Sequence, residues 1–104
     1  MDYLKIFLAG ALLCNCIPHL AAGLQGRPFP TPFAKPRGVG RSSASVNVLW
    51  GAANMFSGVF LLLRDLTGAG TPSGLAAMAL GFLALGIWLS RHFGRVEAVS
   101  LHGE

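Results

Sequence analysis

The chain has 104 residues, 53% of them hydrophobic and only 12% charged, with a net charge of +4. Residues 6–26, 42–63 and 66–90 carry no Lys, Arg, Asp or Glu, and each of these stretches holds the ~20 apolar residues that cross a bilayer as helix. A soluble domain of this size exposes most of its surface to water and cannot accommodate three such stretches without large apolar patches. Soluble enzyme folds, nucleic-acid modules and disulfide scaffolds are thereby excluded. The pattern predicts an all-α integral membrane protein in which residues 1–104 form a single membrane domain. Three transmembrane helices make an up-down-up bundle, with a proline-rich basic loop between helices 1 and 2.

The first predicted helix runs from about Tyr3 to Leu24, anchored at its start by Tyr3 and Lys5. Residues 21–23, Ala-Ala-Gly, are small enough for a signal-peptide cleavage site, but Asn15, Pro18 and His19 interrupt the apolar core such a peptide needs, so the segment is read as a retained span. Pro18 removes one backbone hydrogen bond and should kink the helix. Residues 25–42 form a connection in which Pro28, Pro30, Pro32 and Pro36, with Gly38 and Gly40, exclude regular helix or central strand. The proline spacing favours an extended, polyproline-like path, with Phe29 and Phe33 dipping into the headgroup region. A connection this long without a helix of its own has two readings: a rigid basic linker on the membrane surface, or a lid folded back over the mouth of the bundle. The second helix begins near Ser43 or Ser45, where a hydroxyl caps the first amides, and ends near Asp65. Residues 66–73 form a turn. The third helix covers about Ser73 to Phe93, and residues 94–104, including His102 and Glu104, are expected to leave the membrane as a polar tail.

Six of the eight Lys and Arg residues lie in the first connection (Arg27, Lys35, Arg37, Arg41) or after the third span (Arg91, Arg95). The positive-inside rule places both segments in the cytoplasm and the N-terminus outside, in a plasma membrane of the bacterial inner-membrane type. Anionic headgroups are the expected partners of Arg27, Lys35, Arg37 and Arg41, together with a membrane-protein partner or a second copy of the chain. Nucleic acid is not expected.

The intramembrane polar residues fall in register. At 100° per residue, Asn47, Gly51, Asn54 and Gly58 lie within about 60° on one face of the second helix. Leu8, Ala11, Asn15, His19 and Ala22 share a face of the first. Equal depth from the cytoplasmic side pairs Asn15 with Asn54 and His19 with Asn47, as two polar rungs between antiparallel helices. Such a cluster is either packing glue or a binding site. On the third helix, Gly74, Ala77, Gly81 and Ala84 form the expected close-packing edge.

Cys14 and Cys16 point about 200° apart and do not form a disulfide with each other. Cys16 and His19, at i and i+3, are a minimal soft-metal pair, and the run CNCIPH resembles the cysteine-proline helices of heavy-metal pumps and small mercury transporters. It lacks their Cys-Pro-Cys or vicinal cysteines, so His92 or a second protomer would have to complete a metal shell. A haem would need His19 and His92 in one large pocket. No cofactor is predicted, and no catalytic residue is assigned. The leading expectation is a non-enzymatic accessory or scaffold protein. A small-substrate or proton-coupled transporter using the Asn and His cluster comes second, and an enzyme acting on lipid or quinone third.

Overall fold

A computed structural model describes the backbone of residues 1–102 and the side chains of residues 1–99; Glu104 and the His102 side chain lie outside that description. Most of the chain is helical. In order come α1 (Tyr3–Leu24), β1 (Phe29–Pro30), β2 (Arg41–Ser42), α2 (Ala44–Arg64), α3 (Leu66–Ala69) and α4 (Pro72–His102). Three helical stretches are long and apolar enough to cross a membrane: Tyr3–Leu24, Ala44–Arg64 and Pro72–Val99.

Local chemistry explains the helix boundaries. Asp2 caps α1 by accepting from the Lys5 amide, and Ser43 caps α2 by accepting from the Val46 amide. Asp65 closes α2 and opens α3, its Oδ1 accepting from the Gly68 amide. The single turn α3 occupies part of the connection expected to be irregular. A larger departure is α4, which runs on through residues 94–102 in place of the expected polar tail. Arg95, Glu97 and Ala98 form helix readily, and neither Pro nor a Gly pair intervenes to stop it. At 1.5 Å per residue its 31 residues extend about 46 Å.

The central element is α1. Both α2 and α4 pack on it, and they lean on α1 rather than on each other. The contacts set the register of each seam. Gly51 of α2 faces Leu20, and Gly58 faces Leu13 and Ala9, so positions rise along α1 as they fall along α2. On the other side Gly81 of α4 lies against Phe7, Gly10 against Met78, and Gly86 near Cys14. A methyl group at Gly81 would fall on the Phe7 carbonyl, which is why the backbones there need glycine.

These two seams alter the faces expected from spacing. Leu8 is exposed, and the buried positions of α1 are Ile6, Ala9, Gly10, Cys14, Cys16, His19, Ala22 and Gly23. A helix covered on two sides buries a broader arc than one stripe. On α4 Ala84 is exposed, while Gly81 and Leu89 are buried and Leu85 is half-buried. Large apolar side chains such as Leu49, Phe56, Phe60, Leu80, Leu83 and Ile87 point outward.

Candidate functional site

The site is built where the ends of α1, α2 and α4 meet the connection between α1 and α2. Asn15 Nδ2 donates to Asn54 Oδ1 at 2.9 Å, and Asn54 Nδ2 donates to the Trp50 carbonyl at 2.8 Å. One helical turn closer to the loop, His19 Nδ1 lies 2.8 Å from Asn47 Oδ1. Both rungs expected from depth are therefore hydrogen bonded.

Asn47 is fully buried and does more than bridge two helices. Its Nδ2 points at three carbonyls, Phe29 at 3.0 Å, Ser42 at 3.2 Å and Ser43 at 3.0 Å. With its amide hydrogens committed to these, Oδ1 accepts, so His19 Nδ1 carries the proton and donates. In neutral His19 this leaves Nε2 as a lone-pair acceptor. One amide thus ties α1, the start of α2 and both strands together.

The loop does not follow an extended path. Phe29 pairs with Ser42 and Pro30 with Arg41 in a short antiparallel ladder, closing residues 31–40 into a compact loop. Inside it the Gly38 amide donates to the Thr31 carbonyl, and the Val39 and Gly40 amides donate to the Pro36 carbonyl. Thr31 is buried, its hydroxyl hydrogen bonded to that of Ser42. Gly38 takes a positive φ of 71°, and its carbonyl accepts from His92 Nε2 at 2.8 Å. A carbonyl only accepts, so His92 carries its proton on Nε2.

Aromatic rings join the loop to the helices. Phe29 meets His19 edge-on at 5.4 Å and Phe93 at 4.7 Å, while Phe33 lies edge-on to Trp50 at 5.0 Å. Trp88 stacks on His92 at 5.0 Å. Phe29 is therefore packed into the protein rather than free to enter a headgroup layer, whereas Phe33 keeps 63% of its surface exposed. Under this roof lies a cavity of about 110 Å³, lined among others by Asn15, His19, Trp50, Trp88 and His92. It holds small groups and not a macrocycle. The buried Trp50 Nε1–H has no hydrogen-bond partner among the described residues.

Arg27, Lys35, Arg37 and Arg41 are all exposed. Arg27 and Arg41 lie at the base of the loop, where they line a groove of about 550 Å³ against α1 and α4, while Lys35 and Arg37 sit in the loop itself. Cys16 Sγ donates back to the Leu13 carbonyl, and Cys14 faces α4. Among the described residues no three His, Cys, Asp or Glu side chains converge. Sequence reasoning missed Phe29, Thr31, Gly38 and Phe93 as parts of the site. Nothing in their spacing marks them, because they meet only once the loop has folded.

Taken together, the four polar residues join two helices, one of them anchors the loop, and the loop carries four cations at one end of the bundle. Compared with protein-family models, curated proteins and solved structures, the chain matches none.

Proposed function

We propose that the chain is a small non-enzymatic accessory or scaffold protein of a bacterial-type plasma membrane. It crosses the membrane three times, up-down-up, with the N-terminus outside and the loop and C-terminus in the cytoplasm. Its folded basic loop engages anionic lipid headgroups. One observation carries this reading: Asn47 fixes the loop as an ordered cap, so that Arg27, Lys35, Arg37 and Arg41 are presented together at one end of the bundle. Ordered cations at a membrane surface attract anionic lipid by about 1 kcal/mol each. Cys16 and His19 serve packing in this reading.

The test is thermal unfolding of the full chain in mild detergent supplemented with phosphatidylglycerol or phosphatidylcholine. Phosphatidylglycerol should raise the midpoint, and the combined neutralisation of Arg27, Lys35, Arg37 and Arg41 should abolish that gain without lowering the lipid-free midpoint. Equal midpoints in the two lipids would refute the reading.

The unpartnered Trp50 indole and the cavity beside His19 favour a second reading, binding or transport of a small polar solute. Three helices leave a narrow path, so conduction would need an oligomer. A proton-coupled flux in reconstituted vesicles should then vanish in His19→Ala; an unchanged flux would end this alternative.

A further inference from the structure

The groove beside the loop shares two lining residues, Pro18 and Phe93, with a second, apolar one. Its headgroup-sized part, about 550 Å³, lies within the usual range of ligand sites and is lined by Arg27, Arg41 and Glu97 over a floor of Pro18, Phe29 and Phe93. Pro18 and Phe93 also line an open cleft of about 280 Å³ between α1 and α4, which includes Cys14, Gly86 and Ser90 and is almost wholly apolar. The combined shape is a charged recess leading into a greasy slot on the outer face of the bundle, the shape of an amphiphile. The charges specify which one: two guanidiniums less one carboxylate leave +1, which complements a single phosphodiester.

We propose that the two cavities, adjoining at Pro18 and Phe93, together form a binding site for one anionic phospholipid with a hydroxylated headgroup. The phosphate lies between Arg27 and Arg41, a headgroup hydroxyl donates to Glu97, and one acyl chain lies along α1 and α4 past Phe93. Planar guanidiniums suit phosphate oxygens because they donate two parallel hydrogen bonds. One glycine and two small side chains, Gly86, Cys14 and Ser90, leave room for a chain along the slot: Gly86 approaches α1 only at Cys14, where a β-carbon would stand 3.3 Å from the sulfur. The extension of α4 beyond residue 93 is what brings Glu97 to the recess. This inference rests on the reading of the basic loop as lipid-binding and narrows it to one site.

The experiment is a titration of the detergent-solubilised full chain with phosphatidylglycerol, read by native mass spectrometry, with phosphatidylcholine and free glycerol phosphate as comparison ligands. Arg27→Gln and Arg41→Gln should each weaken phosphatidylglycerol about fivefold, whereas Lys35→Gln and Arg37→Gln should change it less than twofold. Ser90→Trp, which places an indole in the slot from its exposed rim, should weaken it similarly while leaving the lipid-free unfolding midpoint in place. Free glycerol phosphate should bind far more weakly than the lipid. If all four cations contribute equally and Ser90→Trp changes nothing, the lipid is held by a diffuse field, and the groove is overturned while the broader reading stands. If phosphatidylglycerol binds no better than phosphatidylcholine to the unaltered chain, both fall together. Glycerol phosphate binding as tightly as the lipid would overturn the acyl-chain slot alone.

Discussion

At the scale of single residues, the two asparagine rungs are unequal. Asn54 exchanges one side-chain hydrogen bond with Asn15 and otherwise bonds its own helix. Interhelical hydrogen bonds in membranes average well under 1 kcal/mol when cut, since freed groups find other partners. Asn54→Ala should therefore cost about 0.6 kcal/mol. Asn47 is bonded to His19 and faces three backbone carbonyls, and its removal strands several buried groups at once. Asn47→Ala should cost about 2–4 kcal/mol and free the loop, measurable as reversible unfolding in detergent and as faster proteolysis between residues 31 and 40. If the two variants were equally stable, the special position given to Asn47 would be wrong. Glycines divide in the same way. A methyl at Gly94 meets nothing within 4 Å, so Gly94→Ala should stabilise by about 0.5–1 kcal/mol, whereas Gly81→Ala forces α4 away from the Phe7 carbonyl and should destabilise by about 1–3 kcal/mol. Thermal unfolding of the two variants side by side checks the sign of each.

At the scale of elements, the end of the bundle opposite the loop is held by a polar clasp beyond the buried Ile6 and Ala9. The Asp2 amide donates to Asp65 Oδ2 at 2.9 Å, Gly68 donates to Oδ1, and the Tyr3 hydroxyl donates to Ser73 at 3.1 Å. The Asp2 amide, the Gly68 amide and the nearby N-terminal ammonium hold the Asp65 carboxyl below its ordinary value. A depressed carboxyl favours the folded state at pH above the unfolded value of about 4, and that contribution is lost as pH falls through the lower folded value. Acidification over that window should lower the unfolding midpoint, and Asp65→Asn should flatten the dependence. A pH profile unchanged in Asp65→Asn would show that the clasp contributes nothing.

The element scale is also where legibility in the sequence varies most. Ser43, Asp65 and the uncharged stretches give helix boundaries directly, because caps and charge gaps are local signals. The rungs are legible too, since a four-residue step returns to the same helix face. Ala84 and Leu8 are misplaced because a single stripe does not describe a helix gripped from two sides. The course of α4 past Phe93 escapes a reading by polarity, because polar residues do not stop a helix and its end needs a breaker or a cap. The loop is hardest. Its ladder depends on the carbonyls of Phe29 and Ser42 meeting Asn47, contacts between residues 18 and 5 positions apart that no periodicity encodes.

At the scale of the whole molecule, length and charge bear on orientation. The longest dimension is 50 Å, well beyond a hydrocarbon core of about 30 Å. Arg91 and Arg95 of α4 add to the loop cations, and by the positive-inside rule they support the proposed cytoplasmic placement of the loop end. In a Cys14→Ser, Cys16→Ser background, Arg37→Cys should react with a membrane-impermeant thiol reagent only after the cell is opened, and Thr67→Cys should react in intact cells. The reverse pattern would invert the orientation.

The position of α1 between α2 and α4 has a consequence for biogenesis. The helix on which both others pack is synthesised before either of them, so each later helix forms with its docking surface already made. Neither α2 nor α4 has to wait for a partner yet to be made. The loop, synthesised before α2, gains its anchor as soon as Asn47 emerges, and the roof over His19 can close before α4 is complete.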